Sequence, residues 1–398
     1  MLANLTAMLG GPGPDELRGA AALRLRTRMQ PAAGAGARLM PPTYKGAGDV
    51  GAVYLREKRK VAGEPLECVL LDGQASQSNR LEEGLLEMIA AGRVRIPDIR
   101  VDQAEFGMHS ALEMSHRSFD AWVEDALDGD QRFGDTQLYA RLASVINRGV
   151  ARPMVERFPV GLLLGCWASR RSNPQGSTRL ARAVTSEIIG YDVQTGERAS
   201  SKLDHQHVSR DVKLSERGAG TDGGFRTIEG KTAKGKKPSE LGYGNVVPQA
   251  ATHGGVTVGY AEQQTVVSLA AMRATRMAEL GVTSAPDPQA DLLARELLTL
   301  LALALLEAQA ERGWDLRSGC HLVPQSEPTI EVVGRLGDVV GSAPAFGLGA
   351  IEALASRTAE AADEGLGWNV PPVELVASPS QLGLLRHSLG RPVDESGD

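Results

Sequence analysis

Alternating and continuous apolar runs along the chain predict the strands of its sheet. In Leu23–Gln30 apolar or small residues alternate with arginines, which predicts a strand with one core face and one arginine face. Ile188–Val193 alternates in the same way, and Cys68–Leu71 and Thr265–Met272 are short apolar runs with β character. Phe158–Ala168 is apolar nearly throughout, so we expect a central strand there.

Helical patterns separate these strands. Asn79, with Glu82 three residues later, predicts a helix that starts at Asn79, and Gly92 is placed to end it. Gln289–Arg312 is apolar nearly all round and predicts a buried helix. Val94–Pro97 is expected to form a strand edge. Widely separated strands interleaved with helices predict an α+β sheet-and-helix sandwich, but they do not give the strand order.

Two long segments depart from this pattern. Residues 98–150 are acidic and show helical spacing near Leu138, Leu142 and Val145, which predicts a mainly helical insertion. Residues 199–256 are charged, glycine-rich and low in apolar residues, so we expect a flexible basic excursion. Residues 1–398 as a whole are interpreted as one elaborated domain.

The distribution of charge changes this picture more than its sum does. A net charge of −6 argues against a generic cationic nucleic-acid binder, and 4% aromatic residues argue against an RNA surface built on many stacking rings. The cations nevertheless gather in three blocks without acidic residues: Arg18–Lys45, Arg157–Arg182 and Lys231–Lys237. Repeated donors of this kind suit a polyanion backbone, and an ordinary solvated surface is the alternative for each block.

The start of the helix after Asp72 is a candidate anion site. Free backbone N–H groups and the positive end of the helix dipole attract phosphate there. The small polar residues and the arginine that crowd this position are Ser76, Gln77, Asn79 and Arg80. Simple helix capping by the same residues is the alternative, and the local spacing leaves both open.

Three motifs in this order resemble one known family. They are LLDGQASQSNRLEEGLL at 70–86, FPVGLLLGCWASRR at 158–171 and RLARAVTSEIIGYDV at 179–193. This set resembles the backbone subunit of the type I-G (formerly I-U) CRISPR surveillance complex, the Cas-seven-type RAMP protein of its Cascade. The similarity covers about Leu23 to Pro324.

The resemblance implies a modified RRM-like (ferredoxin-like) palm with long inserted fingers and a thumb, the thumb corresponding to residues 199–256. It implies a non-catalytic protein that polymerises along crRNA and presents it for pairing with target DNA. The implied partners are crRNA, target DNA, further copies of the chain, the large Cascade subunit and the subunit that caps and processes the RNA end. Neither a cofactor nor a bound metal is expected.

The candidate RNA-binding residues follow from the cationic blocks and the helix start. They are Arg26, Arg28, Ser76, Gln77, Asn79, Arg80, Ser169, Arg170, Arg171, Arg179, Arg182, Lys231, Lys234, Lys236 and Lys237. Arginine forks suit bidentate phosphate contacts on structured elements, whereas lysines supply mobile point charges in the excursion.

Other chemistry is less well supported by the sequence. His205 and His207 beside Asp204 suggest a metal-dependent RNA-processing or target-cleaving nuclease as the alternative function, but no third ligand is evident. The GxGxxG match at 218–223 lacks the strand and helix that a dinucleotide site requires. Three distant cysteines indicate a reducing compartment, and no signal peptide or membrane span is predicted, so we expect a cytoplasmic protein.

Overall fold

The structure is a computed structural model of the 398-residue chain. It describes residues 1–46, 48, 51–148, 150–168, 178–202, 205–206, 208, 212–216, 218, 220–228, 235–243, 246–251, 254–278 and 286–389.

The described residues form a mixed α+β structure. The strands are β1 (Ala22–Pro31), β2 (Thr43–Lys45), β3 (Ala52–Tyr54), β4 (Arg56–Val61), β5 (Glu64–Asp72), β6 (Ile99–Asp102), β7 (Met108–Ser110), β8 (Leu127–Asp128), β9 (Gln131–Arg132), β10 (Cys166–Ala168), β11 (Thr178–Leu180), β12 (Val184–Thr195), β13 (Arg198–Lys202), β14 (Lys213–Leu214), β15 (Thr227–Ile228), β16 (Val246–Ala251), β17 (Val256–Ser268), β18 (Trp314–Arg317), β19 (Cys320–Pro324), β20 (Thr329–Val333), β21 (Val339–Pro344) and β22 (Val373–Val376).

Most of the helices lie between these strands along the chain, whereas the first α-helix precedes β1 and the last follows β22. The α-helices are α1 (Leu5–Met8), α2 (Gln74–Ala90), α3 (Ala121–Glu124), α4 (Gln137–Arg148), α5 (Arg152–Arg157), α6 (Val160–Leu164), α7 (Leu269–Arg273), α8 (Pro288–Arg312), α9 (Ala350–Asp363) and α10 (Pro379–Leu389). Short 3-10 turns are Leu2–Asn4, Asp15–Leu17, Ala104–Phe106, Ala111–Glu113, Arg117–Phe119, Phe133–Asp135 and Pro238–Leu241.

A large antiparallel sheet forms the centre of the molecule. Its strand order is β18–β19–β1–β17–β12–β5–β4, and β20 pairs with the first half of β1 and with β21. The long strands β12 and β17 run side by side, with Tyr191 opposite Tyr260. The predicted strands at Leu23–Gln30, Cys68–Leu71 and Ile188–Val193 are confirmed and lie next to or near one another in this sheet.

Helices α2 and α8 cover one face of this sheet. Leu23 and Leu25 of β1 pack into the same core as Leu81 and Leu85 of α2 and the leucines of α8. Helix α9 packs against α8 as well, so α8 is buried nearly all round. The buried helix that the leucine-rich sequence predicts at Gln289–Arg312 is therefore confirmed.

A smaller sheet has the order β7–β6–β22–β8–β9, and its strand β22 runs parallel to β6. It joins residues near the end of the chain to the segment that begins at residue 98. The sequence predicts mainly helix over 98–150, and α4 lies where the helical spacing is found. The structure also has the four short strands β6–β9 there. The sequence does not predict them, because strands of two to four residues are too short to show a recognisable alternating pattern.

Two predicted strands are wrong. The run Phe158–Ala168 contains helix α6 and then the short strand β10, because Pro159 sits at the start of the helix and Gly165, at φ 79°, ends it. A short buried apolar run has no period that separates a strand from a helix. Val94–Pro97 is not a strand either, and β6 begins at Ile99.

The predicted start of helix α2 at Asn79 is also wrong. The helix begins at Gln74, directly after Gly73, and Asn79 lies in its second turn. The end is confirmed, since Gly92 has φ 69° and donates its N–H to the Ile89 carbonyl at 3.0 Å.

The remaining expectations have mixed outcomes. Thr265–Met272 is the end of β17 followed by α7. The described parts of residues 199–256 hold the short strands β14–β16. In the part of the chain that the structure describes, no helix combines the length and apolar character that a membrane span requires.

Candidate nucleic-acid interface

The arginines of β1 lie on the sheet face opposite to α2 and α8, which we call the open face. Leu23, Leu25 and Met29 are buried, and side chains alternate along a strand, so Arg26 and Arg28 point the other way. The core face and the arginine face predicted from the alternation are both confirmed. Arg24 shares the open face with them.

Glutamates of the neighbouring strands neutralise two of these arginines. Arg24 Nε donates to Glu331 Oε2 on β20 at 2.7 Å. Arg26 Nη2 donates to both carboxylate oxygens of Glu262 on β17 at 3.0 Å, and this hydrogen bond raises the pKa of Arg26. Arginines on one strand face repel one another unless anions neutralise them, and for Arg24 and Arg26 the protein supplies the carboxylates itself.

Arg28 has a different environment. Its guanidinium lies 3.9 Å from the ring centroid of Tyr260, and Tyr260 stacks on Tyr191 with centroids 4.8 Å apart and planes at 11°. Burial raises the pKa of Tyr260, with a smaller contribution from Glu262. Sequence reasoning missed both tyrosines, because only the register of β12 against β17 brings them together.

The first turns of α2 are committed to internal contacts. Gln77 is fully buried, and its Oε1 accepts from Ser186 Oγ at 2.8 Å and from Gln263 Nε2 at 3.0 Å. Its Nε2 donates to Asp72 at 2.5 Å. The Gln77 side chain therefore joins α2 to the sheet from within, where a solvent-borne phosphate cannot reach it.

Arg80 extends this internal network. It forms an ion pair with Asp72 at 3.0 Å and donates to the backbone oxygens of Asp315 and Leu316 at 3.2 and 2.6 Å. Asn79 is exposed, and Ser76 is half-buried. Ser186 and Gln263 face α2. The four candidate residues of this helix, Ser76, Gln77, Asn79 and Arg80, therefore lie on the opposite side of the sheet from Arg26 and Arg28.

A short hairpin of β10 and β11 carries the next group of candidates. Trp167 is directly opposite Arg179, whose guanidinium lies 4.8 Å from the indole centroid. His116 meets the same indole edge to face at 4.9 Å. Arg182 donates from Nε to the Leu164 carbonyl at 3.1 Å. Ser169, Arg170 and Arg171 lie outside the described residues.

The lysines of the excursion are exposed where the structure describes them. Lys236 Nζ is 3.8 Å from Glu216, and Lys237 precedes the 3-10 turn at Pro238–Leu241. Lys231 and Lys234 lie outside the described residues.

The structure describes only one residue of the histidine pair. His205 is exposed, and His207 and Asp204 lie outside the described residues. Among the residues that the structure describes, no group of three or more His, Cys, Asp or Glu side chains could hold a metal ion.

The structure thus sorts the candidate cations by the charge beside them. Arg26 and Arg80 are paired with carboxylates, whereas Arg28 and Arg179 lie over aromatic rings. A cation that lies over a ring keeps its positive charge for an incoming anion. The charge of a cation paired with a carboxylate is already neutralised. Arg28 and Arg179 are therefore the better placed of these four to bind phosphate.

Comparison with known proteins adds an independent finding. Residues 23–195 match a family model described as CRISPR-associated protein GSU0053. This segment begins in β1 and ends with β12, so it includes α2 and the hairpin of β10 and β11. A search of curated proteins gave no match. The family match supports the identification of this chain as a CRISPR-associated protein with a role in CRISPR defence.

Proposed function

We propose that the protein is the crRNA-binding backbone subunit of a type I-G Cascade, a non-catalytic scaffold of which several copies line one guide RNA. The observation that carries the proposal is the family match, which spans the segment holding the three motifs of the resemblance. In such a scaffold, contacts to phosphate and sugar position the RNA, and base pairing carries the sequence specificity.

The order of the central strands supports an RRM-like palm. Four strands of the sheet run β20–β1–β17–β12, and along the chain they follow the order β1, α2, β12, β17, α8, β20. Numbered along the chain, these strands have the spatial order 4-1-3-2, and both helices pack on one face. This order matches the βαββαβ arrangement of a ferredoxin-like unit and so supports the proposed palm. Strands β4 and β5 extend it beside β12.

The charge distribution supports binding through a few sites. The chain is acidic overall, and Arg24 and Arg26 are neutralised within the molecule. RNA contacts are therefore assigned first to Arg28, Arg179 and the exposed lysines of residues 199–256. Gln77 and Arg80 act in this proposal as the internal support of α2, and Asn79 and Ser76 remain predicted contacts.

Native mass spectrometry of the purified full chain, with the guide RNA of its own CRISPR locus and with truncated guides, tests the proposal. We expect complexes whose number of protein copies rises in steps as the guide lengthens. A single copy on every guide length, or purified protein that neither carries nor binds RNA, would contradict the backbone role.

Incubation of the same complexes with Mg²⁺ or with chelator tests the non-catalytic part. We expect guide and target to stay intact in both conditions. Metal-dependent cleavage that disappears in His205→Ala would instead support the nuclease alternative.

A further inference from the structure

Four arginines gather at the end of the central sheet where β1 begins and where β17 and β20 end. We call them the arginine cluster, and they are Arg273, Arg276, Arg295 and Arg335. Arg335 is exposed in the turn between β20 and β21, and the other three are partly buried on α7, on the loop after it and on α8. The cluster lies outside residues 23–195, so the family match does not cover it.

The arginine cluster contains more positive than negative charge. Among the residues that the structure describes, the carboxylate within it is that of the buried Asp291, whose Oδ2 lies 3.2 Å from Arg295 Nη2 and 3.6 Å from Arg276 Nη1. Burial lowers the pKa of Arg295. Asp291 opposes this change, whereas Arg276 and Arg273 add to it. The cations therefore repel one another, and an anion bound beside them would relieve that repulsion.

Arg273 and Arg335 form the part of the cluster that has no ion pair with a carboxylate among the described residues. Arg273 Nη1 donates to the carbonyls of Met8 and Ala20 at 2.8 and 2.7 Å. The Arg335 guanidinium lies against Gly19, where φ is 75° and where any side chain would collide with it. Burial lowers the pKa of Arg273, and the charge of Arg335 lowers it further. The two cations are therefore close together, and Arg335 is the exposed one.

The Arg335 side chain keeps its donors for a ligand from outside. Within the described part of the chain its guanidinium makes no ion pair, and Asp338 of the same turn lies against Gly334 instead. Arg24 on the open face is opposite Glu331 of β20, and Arg335 follows β20 by two residues. The arginines of β1 on the open face thus lead towards a cation that no internal carboxylate neutralises.

We propose that Arg335 binds a backbone phosphate of the nucleic-acid strand that crosses the open face, at the point where this strand leaves the sheet. A guanidinium fork suits phosphate, which accepts two parallel hydrogen bonds from it. Arg273 raises the positive potential at this point without having to touch the ligand. The inference rests on the proposed function, and guide RNA and target DNA are the two sources of such a phosphate.

The salt dependence of binding by the full chain tests the role of Arg335. We expect Arg335→Gln to weaken binding of single-stranded guide RNA, or of complementary DNA added to the guide complex, by about two- to fivefold. The slope of log K against log salt should flatten by about 0.7 for a single strand, the value for one phosphate contact. The strand whose slope flattens is the source of the phosphate. Arg335→Lys should retain the slope, because it retains the charge.

Arg386→Gln is the matched control, because it removes the same charge from a side chain that is 57% exposed and lies on α10 in an ion pair with Glu105. It should leave both slopes unchanged. Slopes of Arg335→Gln that equal those of the unmodified protein for both strands would overturn the inference and leave the proposed function standing. Protein that binds neither strand would contradict the proposed function together with the inference.

Thermal melting without nucleic acid separates binding from folding. Arg335→Gln should melt no lower than the unmodified protein, because the substitution removes the repulsion between Arg335 and Arg273. A lower melting temperature combined with unchanged slopes would show that Arg335 supports the fold alone, which also overturns the inference.

Discussion

At the scale of single residues, the ion pair between Arg117 and Glu82 places two charged side chains in the protein interior. Both side chains are nearly buried, at 10% and 5% exposure, and Arg117 Nη2 lies 3.1 Å from Glu82 Oε2. Burial raises the pKa of Glu82, and the hydrogen bond and charge of Arg117 oppose that rise. The Glu82 carboxylate therefore depends on Arg117 to remain charged away from water.

Arg117→Met should lower the free energy of unfolding by about 3–5 kcal/mol at pH 8, because it leaves a buried carboxylate uncompensated. Without Arg117 the pKa of Glu82 should rise further above its ordinary value of 4.5. A carboxyl group whose pKa is raised in the folded state favours folding while it is protonated, and this contribution is lost as the pH rises through the raised pKa. The loss relative to the unmodified protein should thus be smaller at pH 5.5.

Urea unfolding at the two pH values measures this difference, and Arg117→Lys, which keeps the charge, is the control. An equal loss at pH 8 and pH 5.5 would contradict the assignment of Glu82 as the responsible group.

At the scale of elements, Glu307 fixes the position of α9 on α8. Its carboxylate accepts from the backbone N–H groups of Gly349, Ala350 and Ile351 at 2.9, 2.7 and 3.0 Å. These are the N–H groups that a helix start leaves without internal partners, and a negative charge there also meets the positive end of the helix dipole. The carboxylate of one buried helix thus caps the next.

Glu307→Gln should cost about 1–3 kcal/mol of stability, because one charged acceptor for three donors becomes a neutral one. Glu352→Gln in the first turn of α9 is the matched control, since that side chain is 70% exposed, and it should change stability by less than about 0.5 kcal/mol. Chemical denaturation of both variants provides the comparison. Equal effects would mean that the Glu307 contacts do not hold α9.

At this scale the sequence predicts an element when the hydrophobic and polar pattern of that element itself is sufficient to define it. Strand β1 is predictable because Leu23, Leu25 and Met29 on one face alternate with arginines on the other. Helix α6 is not, because a five-residue run buried on all sides has no polar face to set a period. The neutralisation of Arg26 by Glu262 is not predictable either, since the two residues lie 236 positions apart and meet only through strand pairing.

At the scale of the whole molecule, the open face is close to charge balance. Arg24 and Arg26 contact Glu331 and Glu262, and Arg59 contacts Glu187 at 2.7 Å. An RNA strand crossing this face would have to compete with these carboxylates for the arginines. The glutamates would then limit how tightly the face holds phosphate.

Replacing both Glu262 and Glu331 by Gln should therefore raise RNA affinity by about two- to tenfold, from the usual strength of part-exposed ion pairs. The slope of log K against log salt should steepen by up to about 1.4, or 0.7 for each arginine released to a phosphate. The combination of Glu352→Gln and Glu360→Gln, at two exposed side chains of α9, makes the same change in net charge and is the control. Filter binding across a salt series measures both quantities, and an unchanged slope would mean that Arg24 and Arg26 gain no phosphate contact.

The pairing of β12 with β17 decides how the chain can be divided. The family match ends at residue 195, the last residue of β12, whereas β17 begins at Val256. A fragment cut at that boundary would lack β17 and α8, so β1 and β12 would each present an unpaired edge and the leucines of α2 would lose their cover. Such edges recruit other chains. Expression of residues 23–195 alone should therefore yield insoluble aggregates, and soluble material for biochemistry requires the chain at least through β20.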